Sequence, residues 1–446
     1  MTQATQKFIE LPSHKGALDI SVPLALVMAA SFLPYINLGP LSVPSQVQPW
    51  AALFAWTWVV IRATRTGLHL TTIQWTLLIF AVWFMVYVYA GDGFDLQTYF
   101  RRSAAFFLSA GIFLAARYLT PATLWRALKM TLPLWFSFAA LRYVSPSTYF
   151  DLVTPLVPTV VNSSARGSSS LAPEATDFGF TMAFMLVLCL ITRRRLQEEG
   201  DEPAKWPVVA AIASALISQS GTGYFGLALV GLIYFATRGS GTRGKFGRCV
   251  LAIGITVPMV IAIRSMPPTG IRGIDLLITA FRAPGELMDT TVSYRVAHNY
   301  VGLLGMMDSG LQGYGAGSFI NEAPNIYATH SLSSFFNLNE YYGASVLATL
   351  SQSPISQFGV IMLEFGIVGV VYLLVLFTFA FRSRVPYKTL AVAILLVTWL
   401  NSFPVGWPPF WVLIGMMMSP HFVSKPLTEA GNELQVQTTT RSPGKR

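Results

Sequence analysis

Charge is scarce in this sequence. Only 11% of its 446 residues are Asp, Glu, Lys or Arg, against 53% hydrophobic residues. A soluble domain carries about a quarter charged residues, which excludes a water-soluble globular class as the first reading. Cysteine is nearly absent too. Cys189 and Cys249 each fall at one end of an apolar run, and they give neither a disulfide framework nor a metal-ligand spacing. The first apolar run lacks a small-residue cleavage site and follows a polar segment, so it reads as a span and not as a removable leader. No internal repeat or low-complexity tract is visible.

What is present is a series of apolar runs. A helix needs roughly 20 such residues to cross a bilayer, and about twelve runs qualify. They lie near 20–38, 50–64, 71–90, 103–118, 123–142, 177–193, 206–219, 221–237, 248–264, 354–380, 388–403 and 407–419. The run at 206–219 is short and leads straight into the next, which predicts a tight or re-entrant hairpin. The expected fold is an all-α polytopic membrane protein. Its single transmembrane domain covers 1–424, and a polar, disordered tail covers 425–446. A net charge of +10 fits a nucleic-acid partner, a membrane surface, or Lys- and Arg-rich cytoplasmic loops. In a chain with this many spans the loops are the reading, and no nucleic acid is expected.

Both termini are placed inside. The stretches "RRRLQEEGDEPAK", "TRGSGTRGKFGR", "RSRVPYK" and "RSPGKR" are then cytoplasmic. About 22 of the 30 basic residues fall on that side, as the positive-inside rule asks. The others are Arg101, Arg102, Arg142, Arg166, Arg264, Arg272, Arg282 and Arg295, with no lysine among them. The guanidinium fork suits phosphate oxygens. Arginine also outnumbers lysine in the whole chain, so chance stands beside the phosphate reading. The external side holds a loop at 143–176 and one large loop at 265–353. In the larger one, Ile271, Ile274, Leu277 and Phe281 recur at helical spacing, which predicts an amphipathic helix over 271–284 lying on the membrane.

Five stretches carry candidate chemistry. In "RGSSSLAPEATDFG", Pro173, Glu174, Thr176 and Asp177 make a helix start. Thr176 or Asp177 would cap it, with acidic charge at the positive dipole end. That leaves Arg166 unexplained. "ISQSGTGYFG" is a tight turn capped by Ser220 or Thr222, or a set of free amides for an anion. "LQGYGAGSF" contains Gly313, Gly315 and Gly317. It follows no strand and lacks the P-loop lysine, which leaves a flexible turn near a substrate. In "SYRVAHNYVGLL", Arg295 and Asn299 share a helix face, with His298 beside them. That helix is a solvated surface or part of a site, and a histidine's ordinary pKa suits acid–base work. His330 is external as well. Glu364 sits inside an apolar run, where a carboxylate is costly. It marks a polar cavity or a hydrogen bond between spans.

In this order the segments resemble the O-antigen ligase and Wzy-type polysaccharide polymerase superfamily. The resembling elements are Arg166-Gly167 with Pro173-Glu174-Ala175-Thr176, then "SQSGTG", then Arg295 with "LQGYGAGSF", then Glu364, Gly366 and Gly369. The resemblance runs over residues 160 to 375. Ligases carry a histidine of an HN pair where this chain has Ile355, which favours a polymerase. The resemblance implies a metal-independent glycosyltransferase of the bacterial inner membrane that needs no cofactor. It would join undecaprenyl-diphosphate-linked oligosaccharide repeats of O-antigen, capsule or exopolysaccharide on the periplasmic face, alone or with a chain-length regulator. Arg295 and Arg166 would neutralise the departing diphosphate, supported by Arg101, Arg102 and Arg142. Glu174, then Asp177, then His298 are the candidate bases. Ser220, Thr222, Gly313, Gly315 and Gly317 would form the substrate loops. A ligase moving finished glycan is the nearest alternative. A lipid-linked glycan flippase is another, but it would show paired halves, and none is visible.

Overall fold

The computed structural model describes residues 21–38, 46–67, 70–89, 95–157, 159–160, 167–237, 260–270, 272–283, 291–336, 356–400 and 404–423, with single positions between 247 and 258. Its bounded helices are α1 (Ser21–Ser31), α2 (Trp50–Thr66), α3 (Thr72–Val86), α4 (Leu96–Ala116), α5 (Pro121–Val144), α6 (Pro146–Leu156), α7 (Ala175–Glu198), α8 (Trp206–Ile217), α9 (Gly221–Thr237), α10 (Arg272–Arg282), α11 (Thr291–Asp308), α12 (Phe319–Thr329), α13 (Gln357–Arg382), α14 (Lys388–Leu400) and α15 (Pro408–Met417). Among the described residues the chain is helical, and only a single bridge, Val88 to Ala316, has strand-like pairing.

Polar residues at the edges of the apolar runs set the helix starts. Gln74 Oε1 accepts from the Thr71 amide at 2.9 Å ahead of α3. Asp95 accepts from the Gln97 and Thr98 amides at 3.2 and 2.9 Å and opens α4. These bonds hold the exposed Asp95 carboxyl below the usual carboxylate range, the Thr98 hydroxyl contributing most. Thr120 caps α5, whose first residue is a proline with no amide to satisfy. Ser356 Oγ accepts from the Gly359 amide at 3.2 Å and opens α13.

Helix α7 is buried along nearly its whole length and packs against α5, α8 and α9. Helix α4 lies against α2, α3 and α15, and α1 joins α2 to α5. Helices α7 and α13 are long and apolar enough to cross a membrane, and α1, α3, α8, α9, α14 and α15 are shorter apolar helices. The outer faces are apolar as well. Trp75, Ile79, Val82 and Val86 of α3 are exposed, as are Ile367, Val371, Leu374 and Phe381 of α13. A second, smaller core belongs to the 265–353 region. There Ala297, Val301, Phe319, Ile326 and Tyr327 close over Val360 and Leu363 at the start of α13.

Several expectations change in detail. Helix α7 begins at Ala175 with Glu174 at the cap position and no side-chain capping bond, so Thr176 and Asp177 lie in its first turn and cap nothing. The loop at 143–176 holds a helix, α6. The amphipathic segment forms α10, which packs against α9. The short run and its neighbour meet in a tight turn at 218–220, where Gln219 adopts φ 50°. The run at 354–380 is one helix broken at Gly366 (φ 56°, ψ −139°). Cys189 is buried and unpaired. Cys249, eight of the 17 residues of the run at 248–264 and the tail lie outside the described residues.

Candidate functional site

The break in α13 is where the glycine-rich turn docks. A helix broken at Gly366 leaves backbone groups without their usual partners. The turn supplies them. The Tyr314 amide donates to Leu363 O at 3.0 Å, and the Gly315 amide to Glu364 O at 2.8 Å. The Ile367 amide in turn donates to Leu311 O at 2.8 Å. Gly313, Gly315 and Gly317 have φ of 79°, 95° and 90°, a region that favours glycine. A Cβ on Gly313 would stand 2.5 Å from the Gly366 nitrogen, and one on Gly315 2.5 Å from the Tyr89 nitrogen. The turn is therefore wedged between α13 and the end of α3. Its work is to place Glu364. One carboxylate oxygen of Glu364 accepts from the Phe319 amide at 3.3 Å, at the start of α12.

Helix α11 crosses α13 at a glycine pair. A Cβ on Gly302 would lie 2.5 Å from Gly359 Cα. Ser356 Oγ donates to Asn299 Oδ1 at 2.6 Å, and Asn299 Nδ2 donates to Arg295 O at 2.9 Å. The reading of this segment as a solvated surface helix is thereby corrected. Ala297, His298 and Val301 are fully buried, and His298 lies 5.3 Å from the Phe319 ring. Burial, and after it the charge of Arg102, pushes the His298 imidazole down to about 3. It is neutral at physiological pH and a weak base there.

From α11 two charged groups are reached. Arg295 interacts with Asp177 in the first turn of α7, and Glu174 interacts with the same carboxylate. His298, one turn further on, interacts with Arg102 of α4, which in turn interacts with Glu364. Residues far apart in the chain thus influence one another electrostatically in two sets, each reached from α11. Arg166 and Ile355 lie outside the described residues.

Arg101, Arg102 and Glu364 line a cavity of about 760 Å³ between α2, α4, α13 and the turn before α15. Gln48 and Gln97 add polar groups. Leu53, Phe100, Leu108 and Val405 supply apolar wall. Gln97 escaped the sequence reading, although its place one turn before Arg101 on α4 puts both on one face. Ser318, buried directly after the glycines, also escaped it.

The other residues singled out sit elsewhere. Ser220 Oγ accepts from the Gly223 amide at 3.0 Å, so Ser220 caps α9. Thr222 follows in the first turn. A Cβ on Gly179 of α7 would stand 3.0 Å from Gly223 Cα, and one on Gly167 2.7 Å from Gln219 Cβ. The "SQSGTG" turn therefore touches both Gly167 and Gly179. Arg142 lies over the Phe150 ring at 4.2 Å, on α6. The His330 imidazole bonds Asp308 at 2.8 Å at the rim. Among the described residues, no three His, Cys, Asp or Glu side chains gather as metal ligands. Compared with protein-family models and with curated proteins, the sequence matches none.

Proposed function

We propose that this chain is a multi-pass inner-membrane glycosyltransferase, with about twelve spans, that polymerises undecaprenyl-diphosphate-linked glycan repeats at the periplasmic face. The observation that carries the reading is the convergence on α11. Arg295 acts on Asp177, which also feels Glu174, and His298 feels Arg102, which in turn acts on Glu364. Arginines beside carboxylates, next to a largely apolar cavity, suit a reaction between a hydroxyl and a lipid diphosphate. The apolar outer faces of α3 and α13 support a lipid surrounding, since soluble monomers rarely expose such patches.

In the reaction the acceptor hydroxyl oxygen attacks the anomeric carbon of the donor sugar. Glu174 or Asp177 takes the hydroxyl proton as that bond forms. The bond from the anomeric carbon to the diphosphate oxygen breaks, and the electron pair leaves with the lipid diphosphate. Arg295, helped by Arg166, stabilises the charge that develops there. The carboxylate then releases its proton to water.

The test is the lipid-linked glycan profile of a deletion strain. Single repeats accumulating on the carrier support the polymerase. Finished chains left on the carrier indicate a ligase. Loss of carrier-linked repeats from the outer face indicates a flippase. Polymer formed by purified protein should survive a chelator, and strict metal dependence would refute the arginine mechanism.

A further inference from the structure

At the helix ends that the proposed topology places inside, the arginines are of two kinds. On α7 they are paired. Arg194 Nε bonds Glu198 at 3.0 Å, and Arg195 bonds Glu198 and His421 O, each at 2.9 Å. At the ends of α2 and α4 the arrangement differs. The Arg62 guanidinium lies 4.1 Å from the centroid of the Tyr118 ring and 5.7 Å from that of Trp58. Arg117 lies 5.7 Å from the same Tyr118 ring, and its Nη1 donates to Gln74 Oε1, a neutral acceptor, at 2.6 Å. No carboxylate among the described residues pairs with Arg62 or Arg65. Arg62 Nε is buried with no hydrogen-bond partner among those residues.

The positive-inside bias does not account for this geometry. A charge that only marks the cytoplasmic side can be lysine or arginine, free in water. Arg62 is instead half-buried and stacked on an aromatic face, which fixes the plane of its guanidinium. A guanidinium held in this way, without a carboxylate, suits two oxygens of an anion from outside the chain. The second guanidinium beside the same ring favours a ligand of net negative charge. Arg65, three residues after Arg62, is exposed. Ile61 and Phe54, 46% and 44% exposed, lie four and eleven residues before Arg65, on its face of α2. An anion that carries an acyl chain would lay that chain on this apolar face. A free phosphate would leave the face bare.

We infer that Arg62, with Arg65 and Arg117, binds the phosphate of an anionic phospholipid of the cytoplasmic leaflet, whose acyl chain lies along Ile61 and Phe54. A basic site between helices on that side of a membrane recognises lipid head groups by charge. The inference takes from the proposed function only the membrane setting and the side.

The experiment counts lipids on the purified full chain by native mass spectrometry. The probes are palmitoyl-oleoyl phosphatidylglycerol and phosphatidylcholine, which share chains and phosphate and differ in net charge. Wild type should bind its first phosphatidylglycerol about tenfold more tightly than phosphatidylcholine, the scale of basic groups at a lipid surface. Arg62→Ala should reduce that preference to under about threefold. Arg62→Lys should reduce it as well, because an ammonium keeps the charge but loses the fork. Arg194→Ala should leave it unchanged. Equal binding of the two lipids to wild type would overturn the inference, and that arm needs no variant to fold. Full preference retained by Arg62→Ala would overturn it too. So would displacement of phosphatidylglycerol by millimolar inorganic phosphate, which would indicate a free-phosphate site. The assay reads no glycan. A preference seen in a chain whose deletion leaves the glycan profile unchanged keeps this inference and removes the polymerase reading. Equal lipid binding in a chain whose deletion accumulates single repeats does the reverse.

Discussion

Arg295 of α11 acts on Asp177 in the first turn of α7. The interaction couples α11 to the largely buried helix α7. Arg295→Ala should lower polymer formation by about a hundredfold or more, the scale of losing one donor to a developing oxyanion. The protein should remain in the membrane. Arg295→Lys should not restore the rate, because an ammonium cannot present the same fork. Long chains persisting in the alanine variant, seen on a glycan gel, would remove Arg295 from the reaction.

Glu174 and Asp177 share the role of base in the proposed reaction, and substitution separates them. Glu174→Gln should reduce turnover by about 10²–10⁴-fold with little change in substrate affinity. Asp177→Asn should then retain more activity than Glu174→Gln. The reverse order in single-turnover rates would assign the proton to Asp177.

The crossing of α11 and α13 depends on two hydrogens where side chains would be. Gly302→Ala or Gly359→Ala should destabilise the protein by about 1–3 kcal/mol through overpacking. Gly231 of α9 has nothing within 4 Å of a built Cβ. Gly231→Ala should be neutral or slightly stabilising, because alanine favours helix. Thermal unfolding in one detergent compares them. Equal melting of the three variants would contradict the close approach.

His298 predicts an acid limb of stability. Its imidazole ordinarily titrates near 6.5 and is held at about 3 in the folded chain. Below 6.5 the unfolded chain takes up a proton that the folded chain refuses. The contribution is fully present above 6.5 and is lost as pH falls toward 3. The slope is at most about 1.4 kcal/mol per pH unit for one group. His298→Gln should flatten the fall in melting temperature between pH 6.5 and 4. An unchanged slope would show that other groups govern it.

The sequence carried its helices well, because apolar runs and their polar edges follow from local chemistry. It named Arg295, Asp177 and Glu174 by residue type and order, but it could not bring them together. Contacts between segments so distant are set by packing, such as the Gly302–Gly359 crossing, which leaves no local trace. His298 was read by its ordinary pKa, since burial by Phe319 and its neighbours is invisible in one dimension. The glycines at 313, 315 and 317 were visible, but their partner was not. That partner is the interruption at Gly366, and its only linear sign is a glycine two residues after a buried glutamate. Gln97 and Ser318 were passed over because neither residue type is unusual until it faces a cavity.

The interruption at Gly366 divides α13 between two bodies. Val360 and Leu363 belong to the core of the outer layer, whereas Tyr372, Leu373 and Leu376 belong to the core of the bundle. Glu364 stands on the outer side, within reach of the joint. The helix is in effect one shaft resting in two bearings, with its only carboxylate at the coupling. Any tilt of the outer layer about that joint carries Glu364 toward or away from Arg102, which is anchored in α4.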